Sequence, residues 1–150
     1  MSYFQDLTEY TYLPGDIVKG TLNVGWLSRD YEFPKGEVPD EFIRRLLKLS
    51  TIPFNGTRGF HYCELCFKTI DKATYLNSIN TPLIYEGKEY FLGSSEIHVK
   101  NQDGKVYSAP NLICHYILKH KYKPPEEFIN ATMAIDIDKT IKEEKQTKSN

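Results

Sequence analysis

The chain reads as an α+β domain: a small antiparallel sheet built from hairpins, packed against two or three helices around a metal site of the zinc-knuckle, treble-clef-like or expanded Cys2His2 type. Three observations carry that expectation. Apolar residues recur at helical spacing in "PDEFIRRLLKLS". An alternating segment, "EIHVKNQDGKVY", folds back at Asp103-Gly104 as a β-hairpin does. Cys63 and Cys66 stand two residues apart, and His115 and His120 follow in a later helical stretch.

With 150 residues the chain fits one domain of ordinary size. Hydrophobic residues make up 40% and aromatics 13%, enough for a packed core and too many for a disordered linker. We expect residues 1–135 to form the single zinc-binding domain. Residues 136–150, charged and poor in large apolar side chains, read as a tail that is disordered or a loosely attached helix.

From the N-terminus, Pro14, Gly15, Gly20 and Gly25 break the opening into extended pieces, with a short strand expected near 22–27. The first helix starts at Pro39-Asp40, with Glu41 in its first turn. It buries Phe42, Ile43, Leu46, Leu47 and Leu49 and turns Arg44, Arg45 and Lys48 to solvent. A loop, "TIPFNGTRG", leads to the cysteine pair. Residues 72–99 read as strands and turns, with a hairpin around Glu86–Lys88, and Ile70 to Leu83 as an insertion in the sheet. Ser108-Ala109-Pro110 reads as a helix start, since proline at the first helical position loses no hydrogen bond. Pro124-Pro125 closes that helix and opens another with Glu126 and Glu127.

The cysteine pair carries the chemistry. A Cys-x-x-Cys turn aims two sulfurs at one point, and a structural zinc site needs two more ligands. His115 and His120 supply them at a spacing that Cys2His2 sites use, although 48 residues lie between Cys66 and His115. His61 is an alternate ligand that could replace either histidine: on a strand it either points away from the Cys63 side or shares its face, since alternation puts i and i+2 together. The bland readings are a buried cysteine pair and a core histidine. Cys114 reads as packing and His98 as an exposed strand residue. A thioredoxin-like redox pair lacks its βαβ context.

The segments "LNVGWL", "RGFHYCELC", "LGSSEIHV" and "YSAPNLICHYILKHKYKPPEEF" together resemble a small uncharacterised bacterial family, a domain of unknown function. Its members look like N-V-G-W-L, R-G-x-H-x-C-x-x-C, G-x-x-E-I-x-V and A-P-x-L-I-x-H-Y-x-x-x-H-x-Y-x-P-P-x-E-F. The resemblance covers residues 10 to about 132. It implies a cytosolic bacterial domain with Cys63, Cys66, His115 and His120 as motif positions, beside Arg58, His61 and Glu96. It supplies no activity.

Three functions are weighed. The first is a zinc-stabilised module that binds another protein, with toxin immunity or phage defence as an association by type. The second is a zinc-dependent hydrolase or nuclease in which Glu64 or Glu96 acts as general base and Arg58 steadies negative charge. No His-Glu-x-x-His occurs to support it. The third is a nucleic-acid-binding finger. Its helix offers only Lys119, Lys121 and Lys123, and a net charge of −1 gives no general support to phosphate binding. No apolar run of membrane length and no secretory leader is visible, so a cytoplasmic protein with no membrane partner is expected.

Overall fold

The computed structural model describes residues 3–10, 20–52, 61–67 and 69–148. The predicted turns at Pro14 and Gly15 and the loop at 53–60, including Arg58, lie outside them. The architecture is α+β, as predicted. Strands β4 (Glu96–Lys100) and β5 (Val106–Pro110) form the antiparallel hairpin around Asp103-Gly104. The short strand β1 (Leu22–Asn23) joins β5 in parallel, so the three-stranded sheet has the order β1-β5-β4. A separate hairpin pairs β2 (Leu83–Tyr85) with β3 (Lys88–Tyr90) through Glu86 and Gly87. Both turn residues are left-handed, at φ 49 and 78, the twist that suits a two-residue hairpin loop.

The two faces of the larger sheet differ in chemistry. Ile97 and Val99 on β4 stand opposite Ala109 and Tyr107 on β5, and all four are buried. Helix α1 (Asp40–Ser50) and helix α4 (Glu126–Ala134) cover this face. Phe42 and Phe128, both 0% exposed, meet edge-to-face at 6.0 Å, and Tyr107 packs on Phe128 at 5.8 Å. The other face is polar. Buried Glu96 accepts from Tyr10 Oη at 2.7 Å and from Ser108 Oγ at 3.1 Å, and it meets His98 Nε2 at 2.9 Å. Trp26 Nε1 donates to the Ser108 carbonyl at 3.0 Å, so the N-terminal segment seals that face.

α1 follows the predicted periodicity, with all five expected apolar residues buried. Two other expectations are corrected. Residues 72–79, read as strands and turns, form helix α2 (Lys72–Ile79). Asp71 caps it by accepting from the Thr74 amide at 2.7 Å. Asp before a helix is a strong start signal, but Tyr75, Leu76 and Ile79 are too sparse to mark an apolar stripe. Pro110, read as the first helical residue, instead ends β5 opposite Glu96. It lies beyond the two β5 residues that β1 covers, so its missing N–H interrupts no three-strand ladder.

Helix α3 (Ile113–His120) therefore starts three residues later. Gly25, at φ +77, lies against its first turn. A Cβ there would stand 2.8 Å from the Ile113 side chain, so only glycine lets the Asn23–Leu27 segment approach so closely. The charged tail contains helix α5 (Ile137–Lys148), whose Ile137 is buried and Ile141 half-buried against the core. No helix among the described residues is long and apolar enough to cross a membrane.

Candidate metal centre

The knuckle is a tight turn. The amides of Cys66 and Phe67 both donate to the Cys63 carbonyl at 3.2 Å. This closes the loop and brings both thiols to one side. Its position relative to the sheet is fixed by backbone. The His61 amide donates to the Gly93 carbonyl at 2.8 Å. Gly93 sits at φ +109, and a Cβ there would fall 2.6 Å from the His61 carbonyl oxygen. The Gly93 amide in turn donates to Asn111 Oδ1 at 2.7 Å, and Asn111 Nδ2 donates to Ser95 Oγ at 3.0 Å. Asn111 is 1% exposed and immediately precedes Leu112, the N-cap of α3. One buried amide side chain thus joins the loop that holds the knuckle to the helix that carries the histidines.

α3 brings His115 and His120 to the thiols. Five residues along an ideal helix correspond to about 140° of rotation, so helical spacing alone does not align them. His120 is the last residue of α3, and the left-handed Lys121 (φ 60) turns the chain away immediately after it. The two imidazole rings lie 5.2 Å apart. Cys66 Sγ stands 3.3 Å from both Nε2 atoms, and Cys63 Sγ stands 3.4 Å from His120 Nε2. The four ligand atoms all lie within 4.8 Å of one another. This Cys2His2 group can hold a metal ion.

The electrostatics match that capacity. Burial, reinforced by His120 and Lys119, pushes the His115 imidazole down to about 4. Burial and then Lys35 lower His120. Both rings are therefore neutral at pH 7, which is the ligating form. Burial pushes the Cys63 thiol up to about 12, against the backbone hydrogen bond from Cys66, which favours the thiolate. A metal ion takes the place of the thiol protons, so its binding releases them. Hydrogen bonds alone fit the three S···N contacts poorly. The Nε2 of His120 has one in-plane position to share between two sulfurs, whereas one cation serves all four atoms.

A family model described as a domain of unknown function (DUF7919) matches residues 2–133. The chain belongs to that family. The matched span contains all four cluster residues and ends within α4. No curated protein and no solved structure matches the chain.

The other sequence-selected residues fall elsewhere. His61, the alternate ligand, is not one of the four clustered residues and lines an adjoining cavity. His98 is not a free strand residue but pairs with Glu96. Glu96 is held in the buried network with Tyr10 and Ser108 on the sheet. Glu64 lies in the knuckle turn, with a buried Oε2 that has no hydrogen-bond partner among the described residues. Cys114 is 1% exposed in the core, and burial raises its thiol to about 12. Of the three lysines, Lys121 forms the α3 cap and Lys123 pairs with Glu126 at 3.1 Å. Sequence reasoning passed over Gly93 and Asn111. The available signal was a glycine beside two serines and an asparagine just ahead of a helical stretch.

Proposed function

We propose that the chain is a zinc-stabilised protein-interaction module of the cytoplasm, its ion closed by Cys63, Cys66, His115 and His120 and doing no chemistry. The observation that carries this reading is the convergence of four ligand atoms from segments 48 residues apart. An S2N2 donor set favours zinc over calcium or magnesium, which take oxygen ligands. The spacing fits as well. A tetrahedral ion with bonds of about 2.3 Å to sulfur and 2.05 Å to nitrogen sets each S···N pair about 3.5 Å apart. The contacts of 3.3–3.4 Å are close to that value. Four protein ligands leave no open position, which is the mark of structural zinc. Ile84, Phe91 and Tyr31 are each more than half exposed, and exposed aromatics such as Phe91 and Tyr31 are enriched where proteins meet.

A catalytic centre is the second reading. The Oε2 of Glu64 inside the knuckle, without a partner among the described residues, favours it, since a general base must lie near an open metal position. X-ray absorption at the zinc edge separates the two readings. Two sulfurs and two nitrogens support the closed module, and three protein ligands with a water oxygen support the hydrolase. Protein purified under reducing, chelator-free conditions without bound metal would defeat both. For the partner, an Ile84→Asp/Phe91→Asp variant is expected to lose co-purifying protein that the wild type retains. Equal recovery by both counts against this surface.

A further inference from the structure

A cavity of about 500 Å³ lies beside the cluster. It is bounded by the knuckle, α2, β2 and α3, and its size is ordinary for a small-molecule site. Its chemistry is uneven. Leu83, Leu92 and Leu112 give one side an apolar wall, while Thr74, Asn77 and Ser78 of α2 edge it with polar groups. Lys119 stands at i+4 from His115 on α3, so both project toward the cavity.

No aspartate or glutamate lines the cavity, and Lys119 makes no ion pair among the described residues. Among the described residues the cavity wall thus carries one lysine, an apolar side and no acid to compete for that lysine.

We infer that this cavity binds a small organic monocarboxylate with an apolar tail, the carboxylate at Lys119 and the tail against Leu83, Leu92 and Leu112. The inference goes beyond the metal reading and does not depend on it, because Lys119 and the leucine wall are not members of the Cys2His2 cluster. A carboxylate accepts from a lysine ammonium in a charge-assisted hydrogen bond, and an acid of about eight carbons in all fits the volume with room to spare. A cationic ligand of the same length would meet Lys119 with like charge.

The test is calorimetric titration of the full chain, as purified, with octanoate and with octylammonium. Zinc content is measured on the same sample, so a missing ion counts against the metal reading and not against this one. Octanoate should bind at one saturable site, at least about tenfold tighter than octylammonium. Lys119→Gln, at an exposed position, should abolish that preference. Ser78→Trp, which fills the cavity from α2, should abolish octanoate binding while circular dichroism stays unchanged. No saturable octanoate binding to the wild type would overturn the inference. Equal affinity for the two ligands, or octanoate binding that survives both substitutions, would overturn it too.

Discussion

Two halves of this molecule are held together by different means. In α1, Phe42, Ile43, Leu46, Leu47 and Leu49 are all buried, and α4 and the sheet close over them. Each such side chain contributes about 1.5–3 kcal/mol on leaving water. In the knuckle, only Cys63 is buried. In α2 no side chain described is buried, and Leu76 is 44% exposed. A segment this poor in apolar burial cannot offset the entropy of ordering its backbone, about 1–2 kcal/mol per residue. Cross-links must supply what the core does not: the Gly93–His61 backbone bond, the Asn111 bridge and, on the proposed reading, an ion.

The widest separation between the halves is expected on metal removal. Structural zinc contributes on the order of 10–16 kcal/mol in finger peptides. Cys63→Ser/Cys66→Ser should lose zinc by mass spectrometry and lower the melting temperature. Hydrogen exchange should rise first in residues 61–82, with α1 and the sheet protected longer. Uniform loss of protection across the chain would show that the two halves are one cooperative unit. The converse substitution, Phe128→Ala, removes a fully buried ring and should cost about 3–5 kcal/mol. Zinc per folded chain should remain at the wild-type level. A parallel fall in metal content would erase the distinction between the halves.

Gly93→Ala lies at the seam. Its Cβ would collide with the His61 carbonyl at a φ that side chains rarely adopt. A cost of about 1–3 kcal/mol is expected, with weaker zinc retention against a competing chelator. Alanine tolerated without loss of zinc would mean that the knuckle position is not set by this contact.

The smallest effect lies within the core half. Tyr107 Oη donates to Glu127 Oε1 at 2.8 Å, tying α4 to the sheet. Tyr107→Phe should cost about 0.5–1.5 kcal/mol. The Tyr107 hydroxyl and then Lys105 hold the Glu127 carboxyl below its ordinary value. A depressed carboxyl stabilises above its unfolded value and loses that contribution as pH falls through the folded one. Glu127→Gln should therefore be less stable than wild type at pH 7, with the gap closing in acid below the usual glutamate range. A gap that does not change with pH would show that the charge contributes nothing.

Legibility followed the same division. α1 was readable because its apolar residues repeat every three to four positions, and the β4–β5 hairpin because Ile97 and Val99 alternate beside an Asp-Gly turn. The cluster was readable because thiols and imidazoles are scarce residue types whose spacing carries chemical meaning. α2 was not, since its start is written in one capping aspartate and not in a stripe. Pro110 misled because the same residue opens helices and ends strands, and only the register with Glu96 decides between them. Asn111 and Gly93 act through contacts between segments distant in sequence, which no local pattern displays.

The order in which the four ligands leave the ribosome has a consequence of its own. Both thiols emerge some fifty residues before the first imidazole. During synthesis the chain therefore presents a bare dithiol turn with no partner helix. The clasp becomes possible only when the chain through His120 is out, by which time α1 and the β4–β5 hairpin have already been made. On the proposed reading, capture of an ion would then be a closing step in biogenesis, set by when the last histidine arrives.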